Sequence, residues 1–370
     1  MLHLQVDGSP AAAAHLADAL RGALAGGAPV LPVGPAPVPP PAAEPPPGSA
    51  VVIATSGSTG VPKLVVLSAA ALEASARATE RRLGGPARWL LALPAEHIAG
   101  VQVVVRALLA GAPPQVQDLR GGFRTDDFVA ATGRLGPGAR CTSLVPTQLG
   151  RLLDAGGPAL DALRSYTAIL VGGAALDARL RERARAAGVR VVTTYGMSET
   201  AGGCVYDGVP LDGVDVDLDP DGRVLLGGAT LATGYLGRPD DPAFTGGRFR
   251  TGDLGRWRDG RLEVLGRADD VINTGGEKVA PSAVERVLAA QPGVRSACVV
   301  GLPDPEWGQV VGAAVQPEPG APADDEGWRA AVRAELGRAA VPRVLRVVAE
   351  LPLRGIGKPD RTAVAALLGD

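Results

Sequence analysis

Apolar positions along this chain gather into two alternating kinds of segment. Continuous apolar runs at residues 51–54 and 64–67 predict two strands flanking a glycine-bearing loop. Ala69–Leu83 has the spacing of a helix with one buried face. The alternation continues with strand runs at 89–93, 142–145, Ala168–Val171 and 189–194. Between and around them fall helical segments at Ile98–Leu109, 146–153 and 176–187. Short β runs that end in Gly or Pro, separated by helices, predict parallel strands with crossover helices. Residues 11–26 predict a short helix. Residues 29–47 are Pro-rich and predict an extended, irregular connector, which places the start of the ordered body at Val51.

The texture changes after Gly202. Asp-Gly, Gly-Gly and Gly-Arg turns punctuate short strands such as 223–226 and 261–265, the pattern of a small β subdomain. From Ala268 a compact α+β unit follows. It has helices at 283–290 and 327–338 and strands at 297–301, 310–315 and 344–348. The fold expected is α/β: a large N-terminal domain of α/β layers with a small β subdomain over 1–267, then a small α+β domain over 268–370. A length of 370 residues suits two or three domains. No internal repeat is present.

Charge and cysteine content narrow the setting. Net charge is −2 and no basic cluster occurs, so no nucleic-acid partner is expected. Cys141, Cys204 and Cys298 are widely spaced and form no CxxC pair, which suits a reducing compartment. Residues 1–10 lack a cationic leader pattern. The apolar stretch 98–110 is too short to span a bilayer and carries Arg106. A soluble, cytoplasmic protein without a membrane partner is expected; homo-oligomerisation is left open.

Composition also singles out particular residues. Lys and Arg total 37, yet Lys63, Lys278 and Lys358 are the only lysines. Lysine is a compact charge on a thin stem, whereas arginine is a wide planar fork. Lysines that persist in so Arg-rich a chain mark places where the fork does not fit. Lys63 closes Thr55-Ser56-Gly57-Ser58-Thr59-Gly60-Val61-Pro62-Lys63. This is not a Walker A loop, because Gly-Lys-Ser/Thr is absent. The physics is related. Gly57 and Gly60 free the backbone to turn amides toward an anion, Ser56, Ser58 and Thr59 add hydroxyl donors, and Lys63 adds a charge.

That loop resembles the signature loop of the adenylate-forming superfamily of acyl-CoA synthetases, adenylation domains and luciferases. The resemblance runs in order from about Val51 to Arg361, so it implies more than one loop would. ATP, Mg²⁺ and coenzyme A are the cofactor and co-substrates it implies, with a carboxylic acid as the other substrate.

Each further motif then acquires an implied role. In Leu93-Pro94-Ala95-Glu96-His97-Ile98-Ala99-Gly100, His97 borders the acyl pocket. Gly172, Gly173 and Ala174, after a predicted strand, line the adenine pocket; alone they read as a strand-to-helix turn. In Thr193-Thr194-Tyr195-Gly196-Met197-Ser198-Glu199-Thr200, Thr194 and Tyr195 lie by the nucleotide and Tyr195 packs beside the adenine. Ser198 bonds the α-phosphate and Glu199 holds the Mg²⁺, a hard cation that prefers oxygen ligands. Asp253 accepts from both ribose hydroxyls, for which a carboxylate has enough acceptor sites. Arg267 reaches the ribose, and Asp269 is the pivot of the small domain. Gly275 and Gly276 line the pantetheine tunnel, with Lys278 nearby. Lys358, between turn-formers, bridges the substrate carboxylate and the α-phosphate. All three lysines thus fall in family motifs.

The implied chemistry is two half-reactions, adenylation and then thioester formation, with the small domain turning between them. Two features are similar to the short actinobacterial form of the o-succinylbenzoate–CoA ligases of menaquinone biosynthesis. The segment before the loop is abbreviated, and the Glu199 motif continues into Gly202-Gly203-Cys204-Val205-Tyr206, whose glycines are expected to leave room for an aromatic ring. Other readings are a ligase for a different aryl or acyl acid, an enzyme that loads a carrier protein, and a catalytically dead nucleotide-binding homologue.

Overall fold

The computed structural model describes residues 1–36, 38, 41, 43–55, 62–354 and 358–369. It divides into two compact units. One comprises Met1–Leu176, Leu180–Asp217 and Leu225–Thr251; the other comprises Asp177–Arg179, Leu218–Val224 and Gly252–Asp370.

The first unit is built on two sheets. The apolar runs near residues 51 and 64 form the antiparallel strands Ser49–Thr55 and Lys63–Ser68. They belong to a five-stranded sheet with Leu2–Gln5 and Val30–Val33 on one side and Gly234–Tyr235 on the other. The ordered body therefore begins at Leu2, and the Pro-rich connector expected over 29–47 contains a strand. Proline is normally excluded from sheet interiors for want of an amide. Here Pro29 and Val33 turn their carbonyls to the first strand, so the nitrogen of Pro32 faces the other way. On that side the pairing is confined to Val30 with Val51, and Pro32 forfeits no ladder bond.

The second sheet has seven strands. Gln115–Val116, Arg88–Leu91, Arg140–Leu144, Ala168–Val171 and Val191–Met197 run parallel, as the alternating pattern predicts. Gly202–Tyr206 and Val209–Pro210 extend it antiparallel. The change of texture after Gly202 is thus not a separate subdomain at once: the first hairpin stays in the large sheet. Helices Ala69–Leu83 and Ile98–Leu109 pack on strands of this sheet, and the former also packs on the five-stranded one. Helices Thr125–Gly133, Pro146–Ala155 and Gly157–Arg164 cover the seven-stranded sheet through Phe128, Leu149, Leu152, Leu163 and Tyr166.

Arg248–Arg258 carries the chain from the first unit into the second. Its first part pairs with Phe244–Thr245 and its later part with Arg261–Arg267. The second unit then forms a sheet in the order Glu277–Val279, Ile272–Thr274, Gly308–Pro317, Val294–Asp304, with Val344–Val347 beside Gly308–Pro317. Alternate residues of its long strands face opposite ways, as the pleat requires. Val299, Val311 and Val315 meet helices Pro281–Ala289 and Asp325–Leu336. Cys298, Val300 and Leu302 meet the C-terminal helix Arg361–Gly369. Arg361 at the start of that helix is forked onto Glu285 at 2.7 and 3.2 Å and lies 3.3 Å from Asp270. Among the described residues no helix is long and apolar enough to cross a membrane.

All three cysteines are buried and free. Burial pushes the Cys141 thiol up to about 11 and those of Cys204 and Cys298 up to about 12. Because the thiolate is the nucleophile, a raised pKa and a closed core both suppress reactivity. At pH 8 a disulfide reagent such as DTNB should modify no cysteine in the native protein within minutes, and all three after guanidinium unfolding. A rapid native-state reaction would mean that one of these cores opens readily.

Candidate active site

The strand Val191–Met197 is interior to its sheet, yet every residue of it is half-exposed, whereas its neighbour Ala168–Val171 is buried throughout. An interior strand that lacks full cover marks a place where the protein leaves room. Thr194 and Tyr195 lie on this strand. Gly172 follows the adjacent strand and faces Thr194: a β-carbon there would stand 2.3 Å from Thr194 Oγ1. Gly173 and Ala174 are exposed beyond it. Gly172 is thus required because the two strand ends approach closely.

The strand ends in a tight reversal. Ser198–Thr200 is a single 3₁₀ turn whose three residues are buried. The amide of Met197 donates to Thr200 Oγ1 at 3.1 Å, and the Thr200 hydroxyl donates to the carbonyl of Gly202 at 2.9 Å. The chain returns so close to itself that a β-carbon on Gly196 would sit 2.2 Å from the Gly202 carbonyl oxygen. The Glu199 carbonyl accepts from the amide of Ala232 at 2.8 Å, and the Ala201 carbonyl accepts from the Ser75 hydroxyl at 3.0 Å.

Glu199 is thereby fixed with its carboxylate toward Tyr235, whose hydroxyl donates to Oε1 at 2.7 Å. Tyr235 pairs across the sheet with Val65, two residues beyond Lys63. The Lys63 ammonium lies over the Tyr235 ring, 4.2 Å from its centre, and 3.8 Å from an Asp241 oxygen. Thr55, at the other foot of the glycine loop, pairs with Lys63 and donates its hydroxyl to the Lys63 carbonyl at 3.2 Å. The fold therefore brings Thr55, Lys63, Ser198 and Glu199 into one neighbourhood. The loop tip, Ser56, Gly57, Ser58, Thr59 and Gly60, lies outside the described residues, as does the side chain of Lys358.

Tyr235 and Asp241 carry no sequence-derived expectation. The scarcity that marks the lysines marks the tyrosines too, of which the chain has four. Applied to them, it would have drawn attention to Gly234-Tyr235.

His97 caps the helix Ile98–Leu109 and is half-buried. Gly202 and Gly203 do not open space for a ring as expected. A β-carbon on Gly202 would meet Gln102 at 3.3 Å, and one on Gly203 would meet Thr194 and Tyr206 at 3.1 Å. The volume those missing side chains release is taken by the chain's own residues.

Three candidates gather in the second unit. Asp253 and Arg267 face each other across paired strands, with Arg267 Nη1 3.7 Å from the Asp253 carboxylate. Arg267 Nη2 lies 3.4 Å from Asp269. Gly252 makes this possible, since a β-carbon there would stand 2.5 Å from the guanidinium. Gly275 and Gly276 form a two-residue hairpin turn with φ of +57° and +86°, the conformation such turns demand. The Trp307 ring lies against Gly275, where a β-carbon would come within 2.3 Å. Lys278 is exposed on the following strand.

A magnesium ion fits these residues in one particular way. Among the described residues no group of three or more His, Cys, Asp or Glu side chains gathers. One fixed carboxylate is what Mg²⁺ uses when substrate phosphates and water complete its octahedron, and Glu199 offers it.

Residues 4–236 match the model for AMP-binding enzymes, and residues 283–358 match the AMP-binding enzyme C-terminal domain. The chain belongs to the AMP-binding enzyme family. Within that family it is 49% identical over 320 residues to a probable 2-succinylbenzoate–CoA ligase of Mycobacterium tuberculosis, spanning 85% of this chain and 83% of that one. It is 36% identical to the 2-succinylbenzoate–CoA ligase of Escherichia coli over 69% of this chain and 55% of the relative. Among solved structures, o-succinylbenzoate CoA synthetase of Bacillus subtilis in complex with its acyl-adenylate intermediate superposes with a TM-score of 0.73. That match is 28% identical and covers 85% of this chain and 68% of that one. The amide bond synthetase of Marinactinospora thermotolerans superposes with a TM-score of 0.77, at 30% identity, over 92% and 75%. The adenylate-forming fold expected from the motifs is the fold found.

The close backbone crossing at Gly196 gives a test of this construction. Gly196→Ala must push the returning strand away, and forced overpacking of this kind costs about 1–3 kcal/mol or more. Urea titration should show that loss, together with weakened ATP binding. Unchanged stability would mean the reversal has slack that the close contact denies.

Proposed function

We propose that this protein joins coenzyme A to 2-succinylbenzoate at the expense of ATP, through an acyl-adenylate. The observation that carries the acid's identity is the 49% identity over 320 residues to a relative named for that reaction. The site's own chemistry supports the reaction class: a fixed carboxylate at Glu199, a lysine at the foot of a hydroxyl-rich loop, and the paired Asp253 and Arg267.

In the first half-reaction a substrate carboxylate oxygen bonds to the α-phosphorus, and the bond from that phosphorus to the bridging oxygen breaks, releasing pyrophosphate. Two anions must approach, so the residues' work is charge compensation. Lys63 and the loop hydroxyls Ser56, Ser58 and Thr59 hold the leaving phosphates, with the glycines Gly57 and Gly60 admitting the backbone. Ser198 donates to the α-phosphate, and Lys358 lies across the attacking and receiving groups. Glu199 would hold the Mg²⁺ that accompanies ATP, which would supply positive charge against the phosphates. Tyr195 and the Gly172–Gly173–Ala174 segment hold the adenine, Asp253 and Arg267 the ribose, and His97 borders the acid. In the second half-reaction the thiol sulfur bonds to the acyl carbon, AMP leaves and the thiol proton is released. Residues from 268 onward turn about Asp269 between the steps, and Gly275, Gly276 and Lys278 meet coenzyme A. The cytoplasm is the place proposed for it.

The likeness to an amide bond synthetase favours one alternative, in which the adenylate passes to an amine. A pyrophosphate-release assay with ATP, Mg²⁺ and a panel of acids, with and without coenzyme A, decides between them. With 2-succinylbenzoate, coenzyme A should yield the thioester. Lys358→Ala should slow pyrophosphate release about 10²–10³-fold, as for loss of one preorganised charge. Preference for another acid would remove the substrate assignment. A folded, ATP-binding protein that releases no pyrophosphate with any acid would remove the ligase reading.

A further inference from the structure

Tyr235 sits where two opposite charges meet, and no role follows for it from the reaction alone. Its hydroxyl donates to Glu199 Oε1 at 2.7 Å, and its ring carries the Lys63 ammonium 4.2 Å from the centroid. Phe244 packs edge-on against the same ring at 5.2 Å and 79°, and is itself 4.9 Å from Phe249. The backbone sets the arrangement: Tyr235 pairs with Val65, and the flanking amides of Thr233 and Leu236 donate to the carbonyls of Val66 and Leu64 at 2.9 and 2.8 Å.

A carboxylate and an ammonium held on the same phenol attract one another. Collapsed onto each other they would satisfy their charges and offer less to a nucleotide. The phenol gives each a different partner. The ring face holds the ammonium by its quadrupole, beside the Asp241 oxygen 3.8 Å away. The hydroxyl occupies one oxygen of Glu199 and leaves Oε2 for another ligand. A hydrogen-bonded partner of a metal-binding carboxylate orients it and tunes affinity.

We infer that Tyr235 is a positioning residue that holds Glu199 and Lys63 apart and aimed, the first toward the metal of the nucleotide and the second toward its phosphates. The inference rests on the proposed roles of those two charges, and the test separates the two levels. ATP binding is followed calorimetrically as Mg²⁺ is varied, independently of turnover. Glu199→Gln should abolish the dependence of ATP affinity on Mg²⁺; if it does not, the role of Glu199 fails before Tyr235 is considered. Tyr235→Phe keeps the ring and removes only the hydroxyl. It should raise the Mg²⁺ concentration for half-maximal ATP binding about tenfold, leave affinity at saturating Mg²⁺ nearly unchanged, and add nothing in a Glu199→Gln background. Tyr235→Leu removes the ring too, and should also weaken ATP at saturating Mg²⁺ about fivefold. A purely structural tyrosine would lower the melting temperature without moving the Mg²⁺ midpoint. A folded Tyr235→Phe protein with the wild-type midpoint, or an equal shift in the Glu199→Gln background, would overturn the inference.

Discussion

The reversal at Ser198–Thr200 is the contact on which the first unit's site depends. A strand interior to the seven-stranded sheet stops and turns back on itself within a single 3₁₀ turn. The turn's outward backbone groups are claimed by other elements: the Ser75 hydroxyl from a helix, and the Ala232 amide from the segment leading into the five-stranded sheet. Buried backbone groups left unpaired are costly, so these bonds fix the turn against both sheets at once. Glu199 cannot shift without breaking them.

From that fixed point the rest of the site follows by short steps. Tyr235 reaches Glu199 because its own strand is bonded to the strand that Lys63 begins. Lys63 and Thr55 pair at the base of the glycine loop, so both feet of the loop stand on one hairpin. Functional groups carried on strand ends are held more precisely than groups on long loops. This matters for a reaction that brings two anions together, where misplaced charge assists nothing.

The second unit uses a different device. Its candidate residues lie along one pair of strands and the turn beyond, with Gly252 and Gly275 cleared so that Arg267 and Trp307 can lie flat on backbone. Arg361, three residues after Lys358, is forked onto Glu285 and lies close to Asp270, next to the proposed pivot. Charged hydrogen bonds in partly closed surroundings resist displacement more than neutral ones. The Asp270 turn, the helix Pro281–Ala289 and the C-terminal helix of this unit are thus tied together.

Sequence alone determined much here. Uniform apolar runs and helical spacing located most strands and crossover helices, because burial on both faces writes itself directly into composition. The family was legible in the glycine loop and the Tyr-Gly-Met-Ser-Glu segment, because the chemistry restricts residue type at fixed spacing. What sequence did not determine is what depends on distant pairing. Val30–Val33 carries a proline and hides in a Pro-rich stretch; only its register with the first and third strands makes it a strand. Gly202 and Gly203 look like open space, but the fold fills them with Gln102, Thr194 and Tyr206. The scarcity of tyrosine can draw attention to Tyr235, but not to its partners Lys63 and Glu199, which are far away in the chain and meet it only through the tertiary fold. Spacing along a chain reports local geometry; which side chains stand face to face across two sheets is decided by the packing of the whole unit.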